Sequence, residues 1–579
     1  MHVKSSFPPL PPLPEVNAHH ILFGRPDQAR WAQADWPDFT FQIEERTGRK
    51  RTFKEMVKSI GLGATALGGK VADGGLGLSG DADEMIGLLG DNSLEFFDIV
   101  HSLMMITTPF ALISTYSTRF ELVHALKLTK ATRLFVDAKL LKNVLAAIED
   151  PAVQITSDKI YVLSGPPTKG RRCFSQLMDA VKRKNAPLEP VRLAKRDRLA
   201  YLVMSSGTSG LPKAVMITHG NVVCAIYQAI VGAETARPFA APLQNVHPTT
   251  IAVLPMFHSY GLHVYVFRAT LTPATYVIME RWNLPRYVKA IAKYGATHLT
   301  LIPSMVHQLV THPDIKKTNL SSVTNVASGA AYLPPELAAR MGRLLPAGSN
   351  LSQGYGLSEC TIAAMARPFE GMLGMGKPPP NTTGILIAGI EARTVRDDGT
   401  EAAAGEVGEL WLQGPNVMPG YWNNPAANAG TFVDGWLRTG DQFRVDEKGY
   451  FFFADRGKDT LKVSGVQVSP KEIEDVLFAH PEKLISDVSV AGVSGGRTDD
   501  EKVPRAWIVL SPAGKKKGAP AVIKALEAWH QESLSRYKWL RGGIEVVKEI
   551  PKTPTGKTMR RVLQERYEAR MAKKAKAKL

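Results

Sequence analysis

The sequence predicts an α/β protein: a large N-terminal domain of parallel sheets covered by helices, joined by antiparallel strands, and then a small α+β C-terminal domain. Three observations predict it. Helix-like and strand-like stretches alternate along the first part of the chain; beyond about residue 380 the texture changes to short strands punctuated by Gly, Asp and Asn; and the last segment carries an apolar set of its own. A chain of 579 residues also exceeds what one core holds, so at least two domains are expected.

The elements follow in order. The first residues contain "PPLPPLP", a polyproline stretch read as a stiff, disordered arm over 1–25, with an SH3-type ligand as the sharper alternative. Next, "RTFKEMVKSIGLGATAL" reads as a helix, "EMIGLLG" as a strand, "LEFFDIVHSLMMI" as a helix and "TRLFVDA" as a strand, an alternation that suits parallel sheets. "GGLGLSG" (74–80) precedes its strand instead of following one, so it is a loop and not a dinucleotide fingerprint. The best membrane-span candidate, "FFDIVHSLMMITTPFALIST" (96–115), is interrupted by Asp98, His101 and Pro109. A buried helix, a turn and a strand are expected there, and no span. Further on, "GELWLQGPNVMPGYW" and "GWLRTGDQFRVDEKGYFFFADR" suit antiparallel hairpins. In the last segment "EIEDVLFAH" and "VIKALEAWHQESL" read as helices, "SDVSVAGV" and "RAWIVL" as strands. The boundary is placed so that the large domain spans 26–457 and the small one 458–579.

Composition narrows the partners. The 44% hydrophobic and 22% charged fractions are those of an ordinary globular protein. Cys173, Cys224 and Cys360 are isolated thiols without metal-ligand spacing, which points to a reducing compartment and no disulfide framework. "MHVKSSFPPLPPLPEV" lacks the apolar core of a signal peptide. The formal charge is +17, but the basic residues are dispersed and lack interleaved aromatics, so small polyanionic substrates account for it and no nucleic-acid partner is expected. The tail "ARMAKKAKAKL" reads as a solvated helix end. Its last residues, Ala577, Lys578 and Leu579, also resemble the peroxisomal import tripeptide Ser-Lys-Leu; that reading makes the import receptor a partner and the peroxisome the expected location, the cytoplasm otherwise.

Chemistry enters with "MSSGTSGLPKAV" (204–215). It follows the strand-like "LAYLVM" and precedes "NVVCAIYQAIV", a helix with Asn221 as expected N-cap, so the loop is read as joining strand to helix. Glycines let successive N–H groups converge, and hydroxyls plus a lysine add donors, a combination that suits phosphate. It is not a Walker loop: Lys213 follows Pro212, and Ala214 stands where a Mg²⁺-binding hydroxyl belongs. A flexible Ser/Gly connector is the bland alternative.

Five further stretches fall in order behind this loop: "LPMFHSYG" (254–261), "ASGAAYL" (327–333), "SQGYGLSE" (352–359), "TGD" with "DRGKDTLKVSGVQVSPKEIE" (439–474), and "PKTPTGK" (551–557). Together with the loop they resemble the adenylate-forming superfamily of acyl- and aryl-CoA synthetases, adenylation domains and luciferases, over nearly the whole chain after the proline stretch, with 4-coumarate-CoA ligase-like enzymes as the nearest subgroup. The resemblance implies a β-barrel-like subdomain in the large domain and a mobile small domain. It also implies ATP, Mg²⁺ and CoA as the cofactor and co-substrates. In that chemistry a carboxylate attacks the α-phosphorus of ATP, pyrophosphate leaves, and a thiol displaces AMP from the acyl-adenylate. Most of the demand is positioning and charge stabilisation.

Residue by residue, the resemblance implies that Ser205, Ser206, Gly207, Thr208, Ser209, Gly210 and Lys213 grip the β- and γ-phosphates. Tyr355 lies against adenine, Ser358 donates to the α-phosphate, and Glu359 with Thr208 holds Mg²⁺. Gly329, Ala330, Ala331, Gln353, Gly354 and Gly356 complete the nucleotide site. Asp441 accepts the ribose hydroxyls, assisted by Arg456. Lys557 reaches between carboxylate and α-phosphate, which requires the small domain to close. Lys458 is the hinge; Lys462, Ser464 and Gly465 line the CoA side after rotation, with Gln467 beside the adenylate. His258 abuts the carboxylate and thiol channel, while Tyr260, Ala330, Ile362 and Ala363 face the acyl pocket. Taken alone, Asp441 would be a turn residue, His258 a core histidine and Lys557 a solvated lysine.

Three positions depart from the pattern. Ala214 replaces the usual glycine after the loop lysine and is expected to tighten the turn, while Tyr332 and Ile362 stand where 4-coumarate-CoA ligases carry proline. The implied function is an ATP-dependent acid:CoA ligase for a hydrophobic carboxylic acid, medium-chain aliphatic or aryl. A stand-alone adenylation enzyme serving a carrier-protein pantetheine is the alternative, and a non-catalytic nucleotide-binding scaffold the distant one.

Overall fold

The computed structural model describes the chain apart from residues 24–35, 81–83, 206–211, 240–246, 457–460, 464–465, 469, 495–501, 535–537, 554–555, 557 and 577–579. Two parallel-centred sheets build the large domain. The first orders six strands as Ile160–Val162, Arg133–Val136, Ile86–Leu89, Phe110–Leu112, Leu199–Ser205 and Lys213–Thr218, with only the last pair antiparallel. The second has nine; its parallel centre runs Asn350–Tyr355, Asn325–Ser328, His298–Leu301, Thr249–Ala252, Thr275–Ile278 and Thr40–Glu44, and antiparallel strands close both edges. Strands such as Ile86–Leu89 and Thr275–Ile278 are buried along their whole length, as continuous strands covered on both faces must be.

The helix Leu94–Met105, capped by Ser93, lies in this core with every residue but Glu95 buried, and Phe110–Leu112 follows as a strand, as expected. Its buried polar side chains are held from neighbouring elements, although Asp98 Oδ1 and His101 Nδ1 have no partner of their own among the described residues. Arg51 Nη1 and Ser59 Oγ each reach Asp98 Oδ2 at 2.6 Å, and His101 Nε2 lies 3.2 Å from the carbonyl of Val266. Breaking such a buried pair from one side costs about 3–5 kcal/mol. Among the described residues no helix is long and apolar enough to cross a membrane. Asn92, at the mouth of the first sheet, donates to the carbonyls of Leu254 and Met279 and accepts from Met256 N, fastening one sheet to the other.

Two expectations change here. The residues after Lys213 do not enter the helix directly: Lys213–Thr218 forms a strand antiparallel to Leu199–Ser205, so the phosphate loop spans a hairpin. Ala214 is therefore a buried strand residue whose carbonyl accepts from Trp422 N, and not part of a turn. The helix His219–Ala236 is capped by Thr218. Asn221 sits three residues inside it and closes the capping box instead of being the cap. The alternation in "KAVMIT" is too short to separate a strand from the approach to a helix, which only pairing decides.

The third sheet is antiparallel. Glu391–Val395, Val407–Gln413 and Trp436–Val445 form its centre, and Phe432–Val433 and Phe451–Arg456 pair with Trp436–Val445. Its outer strand is His2–Lys4, paired with Glu391–Arg393. The proline-rich segment is thus no free arm: Asn17 is buried and donates to the carbonyls of Met104 and Arg192, and the short helix Ala18–Phe23 is largely buried. A sheet edge recruits a partner through backbone groups, which composition does not record.

In the small domain Ile485–Ser494 pairs antiparallel with Lys502–Leu510, and Ile544–Val546 joins parallel to the latter. Helices Pro470–Phe478 and Ala519–Ser533 contribute Ile473, Leu477, Val522 and Leu526 to its core.

Candidate active site

The strand ends and turns of the large domain converge on a cavity of about 770 Å³. The hairpin strand after the phosphate loop brings Lys213 beside Tyr421, its Nζ 4.8 Å from the ring centre, because the backbone of Ala214–Met216 pairs with Gly420–Trp422. Tyr421 in turn donates its hydroxyl to Glu359 Oε1 at 3.0 Å, and Ser205 Oγ donates to the same oxygen at 2.9 Å. Burial, then the Glu359 charge, push the Tyr421 hydroxyl far above its usual range, so it stays a donor. Next to it, Ser259 Oγ donates to Ser358 Oγ at 2.9 Å. His258 caps the helix Ser259–Leu262, accepting from Tyr260 N at 3.4 Å.

The turn "GYGLSE" holds this geometry by close backbone approach. A Cβ on Gly356 would lie 1.8 Å from the carbonyl oxygen of Ile362, so only glycine fits. Thr361 (φ 65) and Ala330 (φ 66) are non-glycine residues held in the left-handed region, a strain that surrounding structure must impose. Tyr355 donates its hydroxyl to Asp441 Oδ2 at 2.6 Å, and burial followed by the Asp441 charge keep it protonated. Asp441 stands opposite Arg456 in the register of its hairpin.

Ser205, His258, Tyr260, Gly329, Ala330, Gln353, Gly354, Tyr355, Gly356, Ser358, Glu359, Ile362 and Ala363 all line the larger cavity. Ala331 and Asp441 line a neighbouring one of about 250 Å³ between the two domains, which Ala330, Gln353, Gly354, Tyr355 and Gly356 share. Ser206, Gly207, Thr208, Ser209, Gly210, Lys458, Ser464, Gly465, Lys557 and the tripeptide 577–579 lie outside the described residues, and so do the side chains of Arg456, Lys462 and Gln467. The neighbours of Lys557 are described: Gly556 and Thr558 line the smaller cavity, and a Cβ on Gly556 would lie 2.7 Å from Ile302 and 2.9 Å from Ser304.

Sequence reasoning marked Tyr332 only as a departure from the family pattern and missed its place, and it missed Tyr421, Tyr116 and Arg268 altogether. Tyr332 lines the interdomain cavity, stacked on Phe453 with Lys471 Nζ 3.8 Å over its ring. Tyr421, Tyr116 and Arg268 reach the site from segments with no local signature. One carboxylate beside the hydroxyls of Ser205 and Tyr421 is a set Mg²⁺ accepts when phosphate oxygens supply its other ligands. Among the described residues no cluster of three or more His, Cys, Asp or Glu forms a protein-only metal cage. The arrangement therefore suits a nucleoside triphosphate with space for an acid in the same cavity.

Comparison with known proteins agrees. Residues 29–422 match the family model described as AMP-binding enzyme, and residues 472–557 match that of the AMP-binding enzyme C-terminal domain. A probable 4-coumarate-CoA ligase of Dictyostelium discoideum is 31% identical over 510 residues, covering 86% of this chain and 88% of that protein. A peroxisomal OPC-8:0-CoA ligase of Arabidopsis thaliana is 29% identical over 562 residues, covering 96% and 94%. Among solved structures, an anthranilate-CoA ligase in complex with anthranoyl-AMP superposes with a TM-score of 0.80 at 25% identity, over 98% of this chain and 99% of that one.

Proposed function

Because the chain belongs to the family of AMP-binding enzymes and is an AMP-forming acyl- or aryl-CoA ligase, we propose that it activates a hydrophobic carboxylic acid, medium-chain aliphatic or aryl, within the larger cavity. The observation that carries this reading is that Glu359 and Ser205, hydrogen-bonded to each other and with Tyr421 behind Glu359, stand on the wall of that cavity. Phe257, Val264, Ile362, Ala363 and Met365 give that cavity an apolar stretch of wall.

The residues divide the work. The phosphate loop with Lys213 binds the β- and γ-phosphates that leave as pyrophosphate. Asp441, held by Tyr355, accepts the ribose hydroxyls. Ser358, held by Ser259, orients the α-phosphate. Glu359 holds Mg²⁺, whose chemistry when bound is to neutralise charge on the phosphate oxygens. His258 borders the point where the acid's carboxylate meets the α-phosphate. The position of Gly556 against Ser304 supports a role for Lys557 at that same point. Rotation about Lys458 then presents Lys462, Ser464 and Gly465 to CoA. The terminal Ala-Lys-Leu and the relative named as peroxisomal support peroxisomal import.

A pyrophosphate-release assay over a panel of acids, with and without CoA, tests the reading. Acid-dependent release of pyrophosphate, and thioester only when CoA is added, is expected. Release that no acid stimulates would defeat it.

A further inference from the structure

The larger cavity contains a cation, Arg268, that no carboxylate among the described residues pairs with. A π-helix, His263–Phe267, continues the short helix that His258 caps, and Arg268 follows it; such segments recur at functional sites. Arg268 lines the cavity. Its Nε is shut off from solvent without a partner, and its one hydrogen bond, from Nη2 to the carbonyl of Ala225, is long at 3.5 Å. Among the described residues no carboxylate pairs with it. The groups that interact with its charge are the Tyr260 hydroxyl and the His263 ring, both kept neutral by burial first of all. Burial lowers the Arg268 pKa to about 10, which still leaves it a cation at neutral pH.

Three other enclosed arginines meet a carboxylate, while Arg367 on the same cavity wall has its guanidinium held by the carbonyls of Pro378, Pro379 and Pro380, a support that Arg268 lacks. Arg51 meets Asp98 at 2.6 Å, Arg505 meets Glu545 at 2.8 Å and Arg560 meets Glu474 at 2.8 Å. An enclosed charge without a counter-charge is costly, so a sequence that keeps one at a cavity wall leaves the pairing to what enters the cavity. Ten residues separate His258 from Arg268. The chain between them is helical throughout, α over Ser259–Leu262 and π over His263–Phe267, so it carries Arg268 away from His258 by more than two turns. The cation therefore belongs to the end of the cavity remote from the carboxylate that is activated.

We propose that Arg268 determines specificity by pairing with a second carboxylate at the far end of the acid, so that the substrate class is a dicarboxylic acid with an apolar middle. This rests on the acid-activating reading of the same cavity. A guanidinium takes a carboxylate through two parallel hydrogen bonds, and an acid ending in methyl leaves it unpaired. Hydrogen bonds to charged groups of this kind correspond to a preference of roughly 10- to 100-fold.

The test uses the full chain, with α,ω-dicarboxylic acids and monocarboxylic acids of matched length. Both kcat/KM for pyrophosphate release and direct binding by calorimetry are measured for the wild type, Arg268→Met and Arg268→Lys. The wild type is expected to favour the diacid by that factor; Arg268→Met removes the preference by weakening the diacid and improving the monoacid, and Arg268→Lys restores part of it. Equal loss on both acids in Arg268→Met would overturn the proposal, as would a wild type that favours the monoacid. An ω-hydroxy acid used as well as the diacid would overturn the charge requirement. If Arg268→Met does not fold, the wild-type panel and Arg268→Lys decide. Diacid binding that depends on Arg268 would uphold the inference even where no acid releases pyrophosphate, a result that defeats the activity reading alone; absent diacid binding overturns the inference.

Discussion

Glu359 is buried and accepts two hydroxyl hydrogen bonds on one oxygen, which fixes its rotamer and leaves its other oxygen to the cavity side. Tyr421 is thus a positioning residue. Tyr421→Phe is expected to raise the Mg²⁺ concentration for half-maximal pyrophosphate release by about 10- to 100-fold, the usual cost of losing a partner that orients a metal ligand. Unchanged Mg²⁺ dependence would detach Tyr421 from that role. Glu359 and Ser358 were legible because they stand in a dense motif; Tyr421 was not, since its contact with Glu359 spans 62 residues and begins in an unremarkable turn.

At the scale of elements, the turn from Tyr355 to Thr361 works only while its backbone passes within van der Waals reach of Ile362 and Ala363. Gly356→Ala must push that backbone apart, and it is expected to cost about 1–3 kcal/mol and to weaken nucleotide binding together with stability. Gly232 is the contrasting case. It lies inside the helix His219–Ala236 with nothing within 4 Å of an added Cβ, so Gly232→Ala is expected to stabilise by about 0.5–1 kcal/mol. Thermal melts of the two variants check both signs. Helix and strand types along the first sheet followed from apolar periodicity, whereas the hairpin Lys213–Thr218 and the cap Thr218 depended on which neighbour the backbone pairs with.

At the scale of the molecule the two domains meet through Tyr332, held by Phe453 from the large domain and Lys471 from the small one, and through Lys483 and Glu336 at 3.3 Å. This arrangement carries Gly556 to Ser304, so Tyr332→Ala is expected to slow acyl-adenylate formation while sparing thioester formation from preformed adenylate. Lys458→Pro is expected to do the reverse. Single-turnover measurement of the two half-reactions checks both, and equal damage to each would argue against alternating closure. Acid should also loosen the whole fold. Burial holds the pKa of His101 and of His219 at about 3, against 6.5 for an ordinary histidine. The folded state keeps both neutral while the unfolded state takes up protons, so their contribution is complete above pH 6.5 and is lost as pH falls toward 3. The denaturation midpoint should decrease from pH 7 to pH 5, and His101→Gln should flatten that slope by a fraction of a proton near pH 7 that rises toward one proton, about 1.4 kcal/mol per pH unit, near pH 5.

The sequence by itself determined the α/β class, the two-domain order and the motif residues that reach the cavity, because apolar period and dense Gly/Ser/Thr motifs are local properties of a chain. Tertiary structure alone decided the rest: that His2–Lys4 closes a sheet edge, that Tyr332 joins the domains and does not line the larger cavity, and that Arg268 faces that cavity with no carboxylate paired to it among the described residues. The physical reason is common to all three. Backbone pairing, packing and burial of charge depend on what lies across the fold, and a residue's sequence neighbours carry no record of it.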